Sequence, residues 1–383
     1  MVIKNAFVFT LDQGFVKKDV VIEDGYFTAG EREPFAGEQV IDAAENYLIP
    51  GLVDVHFHGC AGEDFSDGTP EALDTIGVYE LKCGVTSICP ASMTLAEDTL
   101  ISVCENAYAY KTRSENRHTA RLCGIHLEGP FISMEKKGAQ NPAFIQPPSE
   151  AVFRRLQKAA HGLVRLITIA PETEGAEEFI RALSSEVHIS VGHTTSDYET
   201  ASRAFALGAD HVTHFFNAMP GFSHRAPAVF GAAFDAGHVM PELICDGIHV
   251  KPSAVRVLFK LFGKERMVLI SDSMRAAGMP DGDYSLGGLP VKVTGNLATL
   301  EDGTIAGSAT NLMDCMRTAV SMGIPLDTAV RCATYNPAKS IGAEHICGSI
   351  AAGLQADCVI LSKTDLSVRK VIFGGEVVDD TVS

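Results

Sequence analysis

Basic residues are scarce in this chain. Its 383 residues include 31 Lys and Arg against 48 Asp and Glu, a formal net charge of −17. That balance argues against nucleic acid and anionic membrane as partners, since both are gripped by basic patches. An anionic small molecule stays admissible, because it is met by a local site and not by the field of the whole protein. No apolar run reaches the roughly 18 residues a membrane span needs. The ten cysteines, scattered from Cys60 to Cys358, contain no Cys-x-x-Cys pair. This excludes a zinc ribbon or a thioredoxin-like motif and is read as buried, reduced thiols. No glycine-rich dinucleotide or phosphate loop follows a strand pattern, and there is no heptad run, short repeat or low-complexity segment. Met1-Val2-Ile3-Lys4-Asn5 enters a strand pattern without a secretory signal, so a cytoplasmic location is expected.

What is present is an alternation of strand and helix. The length and the 46% hydrophobic content suit one large barrel with a small companion. The first 48 residues carry short apolar runs separated by turns, among them Asp24-Gly25, a hairpin signal. The same pattern returns at Asp357–Leu361 and Val371–Val378. Neither end is long enough to bury a core alone. The two ends are therefore expected to pair as a small β-sandwich, residues 1–48 with 346–383, flanking a catalytic domain at 49–345. Inside that domain strands are expected at 52–58, 86–92, 121–128, 164–171, 187–193, 210–216, 242–248 and 267–272. Helical patterns between them include Pro70–Lys82, Leu95–Tyr110, Ala176–Leu183, Asp197–Leu207 and Pro252–Phe262. Eight such units predict an α/β fold, a (β/α)8 TIM barrel. An open doubly wound sheet is the alternative, and the missing dinucleotide signature weakens it.

Catalytic groups of such barrels sit at the carboxyl ends of the strands. Here those ends carry His56 and His58, then Glu128, His193, His214, Asp246 with His249, and Asp272. Two histidines spaced two apart on a strand face the same way. Glu128, His193 and His214 supply one oxygen and two nitrogen ligands, the set of a catalytic divalent ion that lowers the pKa of bound water toward about 7. His56 and His58 suit a second ion with Glu128 bridging. Asp272, on the last strand, is the natural general base, able to pass a proton to a leaving amine. His249 is expected to touch substrate. His126 could face the same interior, while His188 and His211 fall near strand starts. Zinc or iron fits best, with manganese, cobalt or nickel admissible.

The segments PGLVDVHFHG, GVTSICPASMT, GIHLEGPFI, KKGAQNPA, TIAPE, VGHT, THFFNAMP, DGIHV, LISDSM and GTIAGSA run nearly the length of the chain. On them the sequence resembles the amidohydrolase superfamily, and within it the deacetylases of 6-phosphorylated N-acetylhexosamines. The resemblance implies conversion of N-acetyl-D-glucosamine 6-phosphate to D-glucosamine 6-phosphate and acetate in amino-sugar catabolism, with the galactosamine epimer as an alternative. It implies that Glu128, His193 and His214 are the main metal ligands, Asp272 the catalytic acid/base and His249 a substrate contact. Asn217 and Ala218 are implied to form a phosphate site. A homodimer is implied too, with Arg225 reaching the neighbouring active site. Two departures stand out. Some relatives lack the first-strand histidines and bind one metal, whereas this chain has both. Some carry His where this chain has Gln140, and there it polarises the acetyl carbonyl. The expectation is that a second ion compensates for the weaker polarisation that neutral Gln140 supplies. A barrel of another class, binding a sugar phosphate without catalysis, would be expected to have lost ligands or the base, and this chain retains them.

Overall fold

Pro70, Thr69 and Asp197 illustrate how local chemistry sets the helices that wrap the barrel. Thr69 Oγ1 caps the helix Pro70–Lys82 at Ala72 N, with proline at the first helical position. Asp197 caps Tyr198–Ala206 at Thr200 N, so the expected helix there is shorter by its cap residues. Ala176–Leu183 and Pro252–Phe262 run as expected, and Glu97–Thr112 begins two residues late. The structure is a computed structural model that describes residues 1–113 and 118–378. Residues 379–383 of the expected C-terminal segment lie outside this range.

The barrel strands are Leu52–Asp54, Val85–Ile88 with Ala91–Ser92, Arg121–Leu122 with Ile125–Glu128, Val164–Ile169, His188–Val191, His211–Val212, Met240–Ile244 and Val268–Ile270. All neighbouring pairs are parallel, and together they form a (β/α)8 barrel. The last strand returns to the first through Asp272 N donating to His56 O (2.9 Å) and His58 N donating to Ser273 O (2.7 Å).

Several strands end earlier than expected. The first stops at Asp54, whose carboxylate accepts from His56 N (3.2 Å) and from Ser271 Oγ (2.5 Å). The seventh stops at Ile244 and not at 248. Asp246 Oδ1 takes the amides of Ile248 and His249, both at 2.9 Å, which turns the chain out of the sheet. His56, His58 and His249 therefore sit in the loops just beyond their strands. The second strand is interrupted around Pro90, which has no N–H to give the ladder.

Aliphatic layers usually fill such a barrel. This one encloses a polar chain beside a buried aliphatic cluster that includes Leu166, Ile244, Val268 and Ile270. His126 Nε2 meets Thr168 Oγ1 at 2.8 Å, Thr168 meets Thr213 at 2.8 Å, and Ser190 meets Thr213 at 2.6 Å. The largest apolar cluster lies between strands and helices. Phe215, fully buried next to His214, packs its ring on Phe216, Phe230 and Phe262. Phe215→Ala is expected to cost about 3–5 kcal/mol of unfolding free energy, as for other buried aromatics. A denaturant midpoint within experimental error of the parent chain would overturn this.

The two ends of the chain share one eight-stranded sheet, in which Cys358–Leu361 runs antiparallel to Tyr47–Pro50. A three-stranded antiparallel sheet follows the last barrel strand. It comprises Gly282–Leu286, Leu289–Thr294 and Leu297–Thr299. The sequence reading did not anticipate it, although Gly287-Gly288 between two alternating runs is a hairpin signal.

Candidate active site

A cavity of about 490 Å³ opens at the carboxyl ends of the strands. Its floor is Glu128, at the end of the third strand. Glu128 Oε1 lies 3.1 Å from His193 Nε2, 3.0 Å from His214 Nε2 and 3.2 Å from His56 Nε2, and Oε2 lies 3.2 Å from His58 Nε2. Asp272 Oδ1 is 3.3 Å from His58 Nε2 and 3.8 Å from His56 Nε2. All six residues are buried. Three side-chain groups could each hold an ion among the described residues: Glu128 with His193 and His214, His56 with His58 and Asp272, and His56 with His126 and Glu242.

The histidine partners say what this floor is built for. His193 Nδ1 faces Lys136 O (2.8 Å), His58 Nδ1 faces Ala91 O (3.1 Å) and His56 Nδ1 faces Glu242 Oε2 (2.8 Å). Each partner is an acceptor, so each Nδ1 carries the proton and each Nε2 turns its lone pair inward. Three inward lone pairs beside two carboxylates require positive charge. Protons can supply it. Burial opposes a charge on His58, but Asp272 and Glu128 outweigh it and push the ring up to about 10. A divalent cation supplies it better, and the donor set of imidazole nitrogens with carboxylate oxygens is the one such ions take. The residues present therefore fit a metal centre. His126 does not share this need: burial, then nearby His56, pushes it down to about 3, which makes it a neutral ring.

Backbone strain marks the same residues. His193, His214 and Asp272 have φ of 46°, 25° and 47°, in the left-handed region that non-glycine residues avoid. The surrounding loops hold them there. Glu172 accepts from Thr194 Oγ1, Thr195 N and Ser196 Oγ, pinning the turn after His193. Sequence reasoning assigned Glu172 no task.

The remaining expected residues are placed as follows. Gln140 lines the cavity and is buried, but its carbonyl accepts from Thr94 N (2.7 Å) and its amide donates to Glu128 Oε2 (2.5 Å). The Thr94 amide fixes which end is oxygen, so one N–H of Gln140 is already committed to the floor. His249 lines the cavity with Nδ1 on Asp246 Oδ2 (2.7 Å), leaving Nε2 for a ligand. Asn217 and Ala218 line it too, the Asn217 amide turned onto His214 O at 3.2 Å. Arg225 is exposed and is not part of this cavity's lining. The inserted sheet and the loop after it add Leu286, Asp302, Thr304 and Ile305 to the rim, residues the sequence did not reveal.

A barrel with a histidine–carboxylate floor of this kind defines a hydrolase class, and comparison with known proteins agrees. The Amidohydrolase family matches residues 47–378, and the chain belongs to that family. It is 36% identical over 380 residues to N-acetylglucosamine-6-phosphate deacetylase of Bacillus subtilis (strain 168), covering 96% of each chain. It is 33% identical to N-acetylgalactosamine-6-phosphate deacetylase of Escherichia coli O157:H7, covering 93% of each. A solved mutant of N-acetyl-D-glucosamine-6-phosphate deacetylase from Mycobacterium smegmatis, in complex with N-acetyl-D-glucosamine-6-phosphate, superposes with a TM-score of 0.90. It is 33% identical and covers 99% of both chains.

Proposed function

We propose that this chain deacetylates N-acetyl-D-glucosamine 6-phosphate, releasing D-glucosamine 6-phosphate and acetate. The observation that carries this reading is the convergence of Glu128, His193, His214 and Asp272 beneath one cavity, in a chain related over its length to such deacetylases. The reading includes the division into a small domain, residues 1–48 with 346–383, and a catalytic domain at 49–345. Glu128, His193 and His214 would hold one divalent ion, zinc or iron. His56 and His58, with Asp272 beside them, would hold a second. When bound, such an ion acidifies water and polarises a carbonyl.

The chain's own groups do the rest. Asp272 takes the proton of the attacking water at a carboxylate oxygen. The water oxygen bonds to the acetyl carbon, the C–N bond breaks, and Asp272 returns the proton to the departing nitrogen. His249, held by Asp246, directs Nε2 at the sugar. Gln140 keeps Glu128 oriented and offers its second N–H to the acetyl oxygen. Asn217 and Ala218 form the phosphate end, with Arg225 of a second copy closing it. Charge-assisted bonds from an arginine fork suit a phosphate dianion. A second copy would cover exposed apolar side chains, among them Phe222, three residues before Arg225, Phe234 on the helix Ala228–Asp235, and Val257 and Leu261 on the helix Pro252–Phe262. The helices of the described residues include none long and apolar enough to cross a membrane, in keeping with a cytoplasmic enzyme.

The test is acetate release from phosphorylated and unphosphorylated N-acetylhexosamines. The 6-phosphate of N-acetylglucosamine is expected to be the preferred substrate, and a preference for the galactosamine epimer or for unphosphorylated sugars would overturn the assignment. Arg225→Ala is expected to raise KM for the phosphosugar about 10- to 100-fold with little change in kcat, the worth of one charged hydrogen bond. An unchanged KM would remove Arg225 from the site.

A further inference from the structure

Glu242 is the one fully buried carboxylate of the seventh strand, Met240–Ile244, and the mechanism above gives it no task. A carboxylate this deep is costly unless it is paired. Its Oε2 lies 2.8 Å from His56 Nδ1 and accepts from the backbone N–H of His214 at 3.3 Å. Its Oε1 is 3.4 Å from His211 Nδ1, within ion-pair range but not aligned for a hydrogen bond. One oxygen thus meets the ring of a first-strand histidine and the backbone of the turn that carries His214.

The chemistry of the pair is one-sided. An ionised carboxylate only accepts, so His56 carries a proton on Nδ1, and it is Nε2 whose lone pair becomes available to a cation. That Nε2 is buried and makes no hydrogen bond. It faces Glu128 Oε1 and Asp272 Oδ1. His58 has a weaker orienting partner, the carbonyl of Ala91. A carboxylate on the far nitrogen fixes the ring and also raises its basicity as a ligand.

We propose that Glu242 is a positioning residue that fixes the Nδ1–H tautomer and the direction of His56, and so sets the affinity of the His56–His58–Asp272 group for a second divalent ion. This rests on the two-ion reading given above. The experiment loads the full chain with Zn2+, measures zinc per subunit, and titrates each site against a competing chelator. The parent chain is compared with Glu242→Gln, which keeps the shape, and Glu242→Leu, which removes the acceptor. The parent is expected to hold two zinc ions. Glu242→Gln is expected to bind the second about 10- to 100-fold more weakly, the usual cost of losing an orienting partner, while the first stays unchanged. Glu242→Leu is expected to hold one. If the leucine variant does not fold, the glutamine variant alone carries the test. Unchanged affinity at the second site would overturn the proposal and leave the two-ion reading standing. Equal weakening of both sites would also overturn it, since a merely structural role would act on both. A single zinc in the parent chain would instead overturn the two-ion reading, and the proposal with it.

Discussion

Asp272→Asn is expected to leave the fold and phosphosugar binding intact and to lower turnover roughly 10²- to 10⁴-fold, the usual worth of a positioned acid/base. Asparagine matches aspartate in shape, so the strained backbone at φ 47° and the amide bond to His56 O carry over. What is lost is the ability to accept and return a proton. Asp272 also lies 3.3 Å from His58 Nε2, so metal content is to be measured on the same sample. Single-turnover acetate release, set beside calorimetric binding of the phosphosugar, separates chemistry from binding. Near-normal turnover with both ions retained would refute the role of Asp272.

Glu128→Gln is expected to have the larger effect. Four histidines direct Nε2 at this one carboxylate, and Gln140 donates to it as well. Removing its charge takes a ligand from the Glu128–His193–His214 group and a carboxylate that faces His56 and His58. Metal content is expected to fall below one ion per subunit. Turnover is expected to fall further than the roughly 10²- to 10⁴-fold expected of Asp272→Asn. Excess divalent ion should restore little of it. Retention of the parent's metal content, read by elemental analysis, would show that the histidines alone hold the ions.

The residues that meet at the candidate site were legible in the sequence because residue type and strand position coincide there. His56, His58, Glu128, His193, His214 and Asp272 follow strand patterns directly, and a barrel brings such positions to one mouth. The sequence did not disclose what orients them. Glu242 and His56 are 186 positions apart, and a glutamate in Met-Pro-Glu-Leu-Ile reads as an ordinary polar residue until the barrel closes. Strand limits were displaced for a local reason: the carboxylates of Asp54 and Asp246 capture backbone amides that a longer ladder would have used. Gln140 was expected to donate to the substrate. What the sequence did not show is that its oxygen accepts from Thr94 N, a contact across 46 positions that no spacing rule encodes, while one N–H goes to Glu128.

The pairing of Tyr47–Pro50 with Cys358–Leu361 has a consequence for synthesis. Strands from the start of the chain leave the ribosome more than 300 residues before their partners. Until then the Tyr47–Pro50 edge is an open template, and open edges invite pairing with other chains. Closing so long a loop is slow, and it comes last. A nascent chain halted before residue 358 should therefore aggregate through that edge even with its barrel complete. A separately supplied 346–383 peptide should suppress the aggregation by occupying it.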